Sequence, residues 1–270
     1  MKVALTIAGS DSGGGAGIQA DLKTFHQFGV FGTSAITAIT AQNTLGVKAW
    51  EAVDDELVRA QLEAVAVDLP PASVKTGMLA NAGIIGVVAR AISKFELPLV
   101  VVDPVMVATS GDLLIENDAV DLVRQELVPR ATLVTPNADE ARVLTGLPIN
   151  SLDGMREAAL AIGDMGSQAV LIKGGHVTTG DEVVDLLYME GEFIEYRHPR
   201  LETRNTHGTG CTLSAAIAAS LAVGATLDES VRCATDYVHD AMRTAPRLGG
   251  GHGPLNHFAG NERTNSMTSD

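Results

Sequence analysis

The sequence predicts an α/β fold, with a central, mostly parallel sheet covered by helices on both faces. Two observations predict it. Strand-length apolar or β-branched runs alternate with longer amphipathic segments along the whole chain. Polar residues then gather where the strand segments end: Gly9-Ser10-Asp11, Gln42-Asn43, Lys75-Thr76, Asp103, Asn137 with Glu140, and Lys173. Ligands in such folds bind beyond the carboxyl ends of the strands. With 46% hydrophobic and 19% charged residues over 270 positions, the chain can bury a large core. No repeat or low-complexity linker interrupts it. One domain over 1–259 is expected, with a polar, frayed tail from 260 to 270.

The elements follow in order. Val3 to Ala8 is a buried strand, and Gly9 to Gly17 a glycine-rich loop. A helix runs from Ala16 to Phe28, with Leu22, Phe25 and Phe28 on one face and Gly29 ending it. Gly32 to Thr40 and Gly46 to Val53 are strands. Asp54-Asp-Glu caps a helix reaching Val67, Ser73 to Leu79 is strand-to-loop, and Ala82 to Phe95 is helix. The Leu-Val-Val-Val run within Leu97 to Asp103 reads as a fully buried strand. Helix Asp118 to Leu127, strand Thr132 to Thr135 and a helix from Pro136 come next. Helix Ser151 to Met165 and strand Gln168 to Lys173 precede a hairpin, Val183 to Met189 and Phe193 to Arg197, around Glu190-Gly191-Glu192. A helix after Gly210 and another from Asp228 to Arg247 complete the set.

The net charge of −14 argues against a nucleic-acid partner, which calls for a basic patch. No apolar run reaches membrane-spanning length, and the apolar start is too short for a signal peptide. The two cysteines, Cys211 and Cys233, have no metal-like spacing and suggest no disulfide framework, which fits a reducing cytosol. A soluble, cytoplasmic protein is expected.

Candidate chemistry centres on Asn205-Thr-His-Gly-Thr-Gly-Cys-Thr-Leu-Ser214, which feeds the small-residue run Ala215 to Val223. Gly208 and Gly210 allow a tight turn and close approach to a ligand. A helix N-terminus gathers unpaired N–H groups and the positive end of the helix dipole. An ordinary loop-to-helix junction is the plain alternative. Thr206, His207, Thr209 and Cys211 at the same terminus favour a site where a phosphate sits during transfer, with His207 structural or phosphate-adjacent. Gly9 opens a glycine-rich loop suited to a flat ligand. Its spacing is not G-x-G-x-x-G, and no P-loop motif occurs. Glu140 alone reads as a first-turn carboxylate stabilising its own helix. With Asp103 and a phosphate site it makes a Mg²⁺ pair, since that ion keeps waters and needs few carboxylates. Lys173 can reach nucleotide phosphates as a point charge. His176, His252 and His257 show no ligand spacing.

Read together, these stretches resemble the hydroxymethylpyrimidine/phosphomethylpyrimidine kinases of thiamin biosynthesis, within the ribokinase-like superfamily. The resemblance is carried by Ala8-Gly-Ser-Asp-Ser-Gly-Gly-Gly-Ala-Gly-Ile-Gln-Ala-Asp21, Thr40-Ala-Gln-Asn-Thr44, Lys75-Thr-Gly-Met-Leu79, Val102-Asp-Pro-Val105, Thr135-Pro-Asn-Ala-Asp-Glu140, Lys173-Gly-Gly-His176, Thr206-His-Gly-Thr-Gly-Cys-Thr212 and Gly251-His-Gly-Pro254. It implies a three-layer ribokinase-like fold, ATP and Mg²⁺ as cofactors, and a homodimer. It also implies two phosphorylations at one site, of the aminopyrimidine alcohol and then of its monophosphate. Most ribokinase-like enzymes carry an aspartate base where this chain has Cys211; a cysteine there marks the pyrimidine kinases and some pyridoxal kinases. By the same resemblance Asp21, Met78 and Val105 line the substrate pocket. Gln42 offers a donor and an acceptor in one plane, matching an aminopyrimidine edge. The backbone of Gly208 to Cys211 would hold the moving phosphoryl group, Lys173 with Mg²⁺ near Asp103 and Glu140 would neutralise it, and Cys211 would be the base. A helix terminus would lower that thiol's pKa. The family places the adenine near the last two helices. A pyridoxal kinase and a non-catalytic pyrimidine-sensing module are the competing readings.

Overall fold

A computed structural model describes residues 1–106, 117–177 and 180–260. Of the tail expected to fray, 260 to 270, all but Gly260 lies outside them. The strands are β1 (Val3–Asp11), β2 (Phe31–Asn43), β3 (Gly46–Ala52), β4 (Ser73–Thr76), β5 (Val100–Val102), β6 (Leu133–Val134), β7 (Ala169–Ile172), β8 (Glu182–Met189) and β9 (Glu192–Pro199). They form one sheet in the order β3-β2-β1-β4-β5-β6-β7-β8-β9. The run from β2 to β7 is parallel, while β3, β8 and β9 join antiparallel at the two edges. The α-helices are α1 (Gly17–Gln27), α2 (Asp55–Asp68), α3 (Ala82–Lys94), α4 (Asn117–Leu122), α5 (Ala138–Thr145), α6 (Leu152–Gly163), α7 (Thr209–Ala222) and α8 (Leu227–Arg243).

Strand side chains alternate between two apolar layers, as a period of two requires. Leu5, Ile7, Val100, Val102, Val170 and Ile172 join the layer beneath α2, α3, α5 and α6. Ala4, Val101, Leu133, Ala169 and Leu171 join the opposite one, beneath α1, α7 and α8. Helix α7 packs against the sheet, α1 and α8, so its residues from Thr212 to Ala222 are all buried. Its small side chains permit that approach, and its apolar surface all round is the sequence signature of such a position.

Several boundaries differ from expectation: β2 runs on to Asn43 rather than ending at Thr40, and α8 ends at Arg243 rather than Arg247. β1 continues through Gly9 to Asp11 because Ser10 and Asp11 pair with Ile39 and Thr40 beyond a bulge. The Leu97 to Asp103 strand shrinks to Val100–Val102, since Leu99 adopts a left-handed φ of 47° that breaks the extended backbone before it. The helix expected to Leu127 turns into one π-helical turn over Val123–Leu127. On the outer β2–β3 ribbon, Ile39, Leu45 and Trp50 are exposed.

Candidate active site

One cavity of about 700 Å³ opens over the carboxyl ends of the central strands. At one end Gly9, Gln42, Met78 and Val105 line it. Met78 is the tighter wall: a Cβ built on Gly9 would lie 3.3 Å from its sulfur. Gln42 is held by its backbone: its N–H donates to Ser12 Oγ at 2.8 Å, and Ser12 Oγ–H donates back to the Gln42 carbonyl at 2.7 Å. The side-chain oxygen of Gln42 takes only a 3.3 Å bond from Thr40 Oγ1.

The middle of the cavity holds the charges. Lys173, just after β7, places Nζ 2.9 Å from Asp103 Oδ1 and 3.5 Å from Glu140 Oε2. Burial alone would lower the Lys173 pKa, but the two carboxylates hold it well above its ordinary value. Glu140 is raised by burial and by Asp103, against the pull of Lys173. It also completes a capping box: Asn137 N–H donates to Glu140 Oε2 at 2.7 Å, and Glu140 N–H to Asn137 Oδ1 at 2.9 Å. The helix-stabilising reading and the site reading of Glu140 therefore both hold.

Gly208 begins α7 in the left-handed region at φ 83°, where a Cβ would run into the Gly15 carbonyl. Thr206, Gly208, Thr209, Gly210 and Cys211 all line the cavity. Thr209 N–H turns back to Thr206 O at 3.3 Å, whereas the N–H groups of Gly210 and Cys211 find no acceptor among the described residues. A Cβ on Gly210 would sit 3.1 Å from Lys173 Nζ and 3.6 Å from Asp103 Oδ2, so ammonium, carboxylate and open helix terminus meet at one point. That arrangement suits an anion carrying several charges.

Two expectations are corrected. Asp21 does not line the cavity: α1 turns it into the sheet, where both carboxylate oxygens lie 2.9 Å from Lys75 Nζ and Thr6 Oγ1 donates to Oδ2 at 2.6 Å. Asp21 and Lys75 are fully buried, so Lys75 is no cavity residue either. Cys211 is not activated by its helix terminus. Burial lifts its thiol to about 11, over the opposing effects of Lys75 and of a hydrogen bond from Gly17 N–H.

Sequence reasoning missed the far end of the cavity, where Asp185 (β8), His198 (β9), Thr235, His239 and Met242 (α8) line the wall. The rings of His198 and His239 stack at 5.1 Å. Asp185 raised the one available signal, a carboxylate inside an apolar strand; it accepts from Gly174 N–H at 2.7 Å. Among the described residues no group of three or more His, Cys, Asp or Glu gathers as for a metal.

A sheet of this order with a lysine–carboxylate cluster facing an open helix terminus is the framework of a ribokinase-like phosphotransferase. Solved structures of this kind are close in shape. A Bacillus subtilis pyridoxal kinase in complex with ADP is 38% identical and superposes with a TM-score of 0.89, over 96% of this chain and 98% of that one. A phosphomethylpyrimidine kinase from Clostridium difficile is 42% identical with a TM-score of 0.80, over 89% and 99%. The family itself is given by sequence: residues 11–256 match the phosphomethylpyrimidine kinase model, and the chain belongs to that family. Hydroxymethylpyrimidine/phosphomethylpyrimidine kinases of Rhizobium meliloti and Bacillus subtilis are 52% and 49% identical, over 95% of this chain and 97% and 94% of theirs.

Proposed function

We propose that this chain transfers the γ-phosphoryl group of ATP to the hydroxymethyl oxygen of 4-amino-5-hydroxymethyl-2-methylpyrimidine, and then to the resulting monophosphate, in thiamin biosynthesis. The observation that carries the reading is one continuous cavity with Gln42, Met78 and Val105 at one end and the Lys173–Asp103 cluster at the α7 terminus in its middle. The relatives that share this chain's full length carry the same activity in their names. The far end, near α8, is left for the nucleoside of ATP.

Such transfers need positioning and charge stabilisation more than covalent chemistry. The free N–H groups of Gly210 and Cys211 hold the moving phosphoryl oxygens, and Lys173 neutralises them. Asp103 and Glu140 fit a Mg²⁺ ion: both are buried hard-oxygen donors, and Glu140 Oε1 has no hydrogen bond among the described residues. When bound there, Mg²⁺ would supply further positive charge to the phosphates. Gln42 reads the aminopyrimidine edge. Gln42→Leu is expected to weaken acceptor binding by about 1–3 kcal/mol, because buried ligand groups lose their partner. ATP affinity stays unchanged; an unaltered acceptor KM would remove Gln42 from the role.

Cys211, on the cavity wall at the α7 terminus, takes the alcohol proton in this reading, and only its thiolate can do so. With the thiol at about 11, that form is a minority at neutral pH. The thiolate fraction grows about tenfold per pH unit below that value, so the alcohol step should climb from pH 7 to 9. The second acceptor already carries roughly −1.5 to −2 charge at neutral pH and needs no base. A fixed carboxylate about 4 Å from it would repel each charge by about 4 kcal/mol at an effective dielectric near 20. A neutral thiol avoids that repulsion. Cys211→Asp should keep much of the alcohol kinase activity and lose most of the phosphate kinase activity; Cys211→Ala should do the reverse. Separate initial rates for both acceptors decide it, and equal losses in both variants would defeat the assignment.

Pyridoxal phosphorylation is a second reading, favoured by one observation: the fold superposes on pyridoxal kinases with TM-scores of 0.89 to 0.90. Offering pyridoxal beside the pyrimidine alcohol at equal concentration separates the two.

A further inference from the structure

Asp11 ends β1 and is buried, and the glycine-rich loop is wrapped around its carboxylate. Oδ1 accepts from Gly13 N–H at 2.8 Å; Oδ2 accepts from Gly15 N–H at 3.0 Å and from Ala16 N–H at 2.8 Å. The same Oδ2 lies 2.8 Å from His207 Nε2. His207 belongs to the other side of the cavity, one residue before Gly208, and its own N–H is fixed to the Gly253 carbonyl at 3.1 Å. The contact leaves no tolerance: a Cβ on Gly15 would lie 3.1 Å from Pro254 Cβ and would overlap the His207 ring.

Each end of this pair continues into the machinery. On the Asp11 side the loop reaches Ser12, whose hydroxyl holds the Gln42 backbone in both directions. On the His207 side the next four residues are Gly208 to Cys211, which carry the open N–H groups. Gly17, where the loop enters α1, donates to the Cys211 sulfur. The acceptor end and the phosphoryl-holding turn thus meet through one buried side-chain pair, although they come from opposite ends of the chain.

We propose that Asp11 and His207, both on the cavity wall, are positioning residues whose buried contact sets the register between the bound acceptor and the phosphoryl group. The inference rests on the function proposed above. Transfer between two bound groups is steep in geometry: a displacement of about 1 Å can lower the rate about 10²-fold. The pair therefore acts on kcat rather than on binding.

The test uses the full chain with Cys233→Ser, so that Cys211 is the remaining thiol, and compares His207→Gln, His207→Asn and His207→Leu. Glutamine can still donate to Asp11; asparagine is one methylene too short. His207→Asn and His207→Leu should lower kcat about tenfold or more for both acceptors, with KM for acceptor and ATP within about threefold, and His207→Gln should recover most of the loss. Iodoacetamide alkylation of Cys211 gives a second readout that needs no substrate. It should accelerate severalfold in the asparagine and leucine variants and stay near the parental rate in the glutamine variant. If leucine prevents folding, judged by near-ultraviolet circular dichroism, the asparagine–glutamine pair decides. Parental kcat in His207→Asn, a loss carried wholly by KM, or no difference between asparagine and glutamine overturns the proposal. A parent inactive on both acceptors overturns the proposed function instead, and the alkylation rates still decide the coupling of the two loops.

Discussion

Lys173→Met is expected to lower transfer to both acceptors by about 10²–10³-fold, the scale of losing one preorganised charge-stabilising donor. Lys173 is the cation that meets the open α7 terminus, 3.1 Å from where a Cβ on Gly210 would stand. Methionine keeps the length of the stem and removes the charge. It also leaves Asp103, 2.9 Å away, without its main partner, so the protein loses stability as well. The two effects separate by temperature: well below the unfolding midpoint of the variant itself, the loss of activity should persist. Parental activity under those conditions would show that Lys173 serves the fold alone.

Lys75→Met carries the largest expected change in stability. The Lys75 ammonium and the Asp21 carboxylate are fully buried and form two contacts of 2.9 Å. Removing one partner of such a pair strands the other charge, at about 3–5 kcal/mol. Lys75→Met/Asp21→Asn keeps the shape, removes both charges and preserves an acceptor for Thr6 Oγ1, so most of that loss should return. Urea unfolding of the two variants measures it. A double variant no more stable than the single one would mean that the pair's charges are not what its neighbours depend on.

How much was legible in the sequence depends on the range of the interaction. Alternation of Leu5 and Ile7 against Ala4, or of Val100 and Val102 against Val101, is local and announces a strand between two apolar layers. Lys173, Asp103 and Glu140 were legible because each follows a strand, and parallel strands carry their ends to one side. Asp21 was misplaced because the helix period says which residues share a face but not what that face meets. Its partner Lys75 lies 54 residues away. The Asp11–His207 pair, 196 residues apart, leaves no local pattern at all. Asp11 even hid the end of β1, since Gly9-Ser10-Asp11 has turn composition and is held extended only by pairing with β2. The Cys211 thiol shows the same limit in electrostatics. A helix terminus is visible in sequence and lowers a thiol's pKa, but the burial that outweighs it here comes from tertiary packing.

One cavity is expected to phosphorylate first an alcohol and then a phosphate. The most direct test is competition: the rate of monophosphate phosphorylation at saturating ATP, measured against increasing hydroxymethylpyrimidine. A shared site predicts purely competitive inhibition, with an inhibition constant equal to the KM of the alcohol in its own phosphorylation, and with both constants raised together in Gln42→Leu. Noncompetitive inhibition, or an inhibition constant that ignores Gln42→Leu while the alcohol's KM follows it, would place the two steps at different sites and contradict the account.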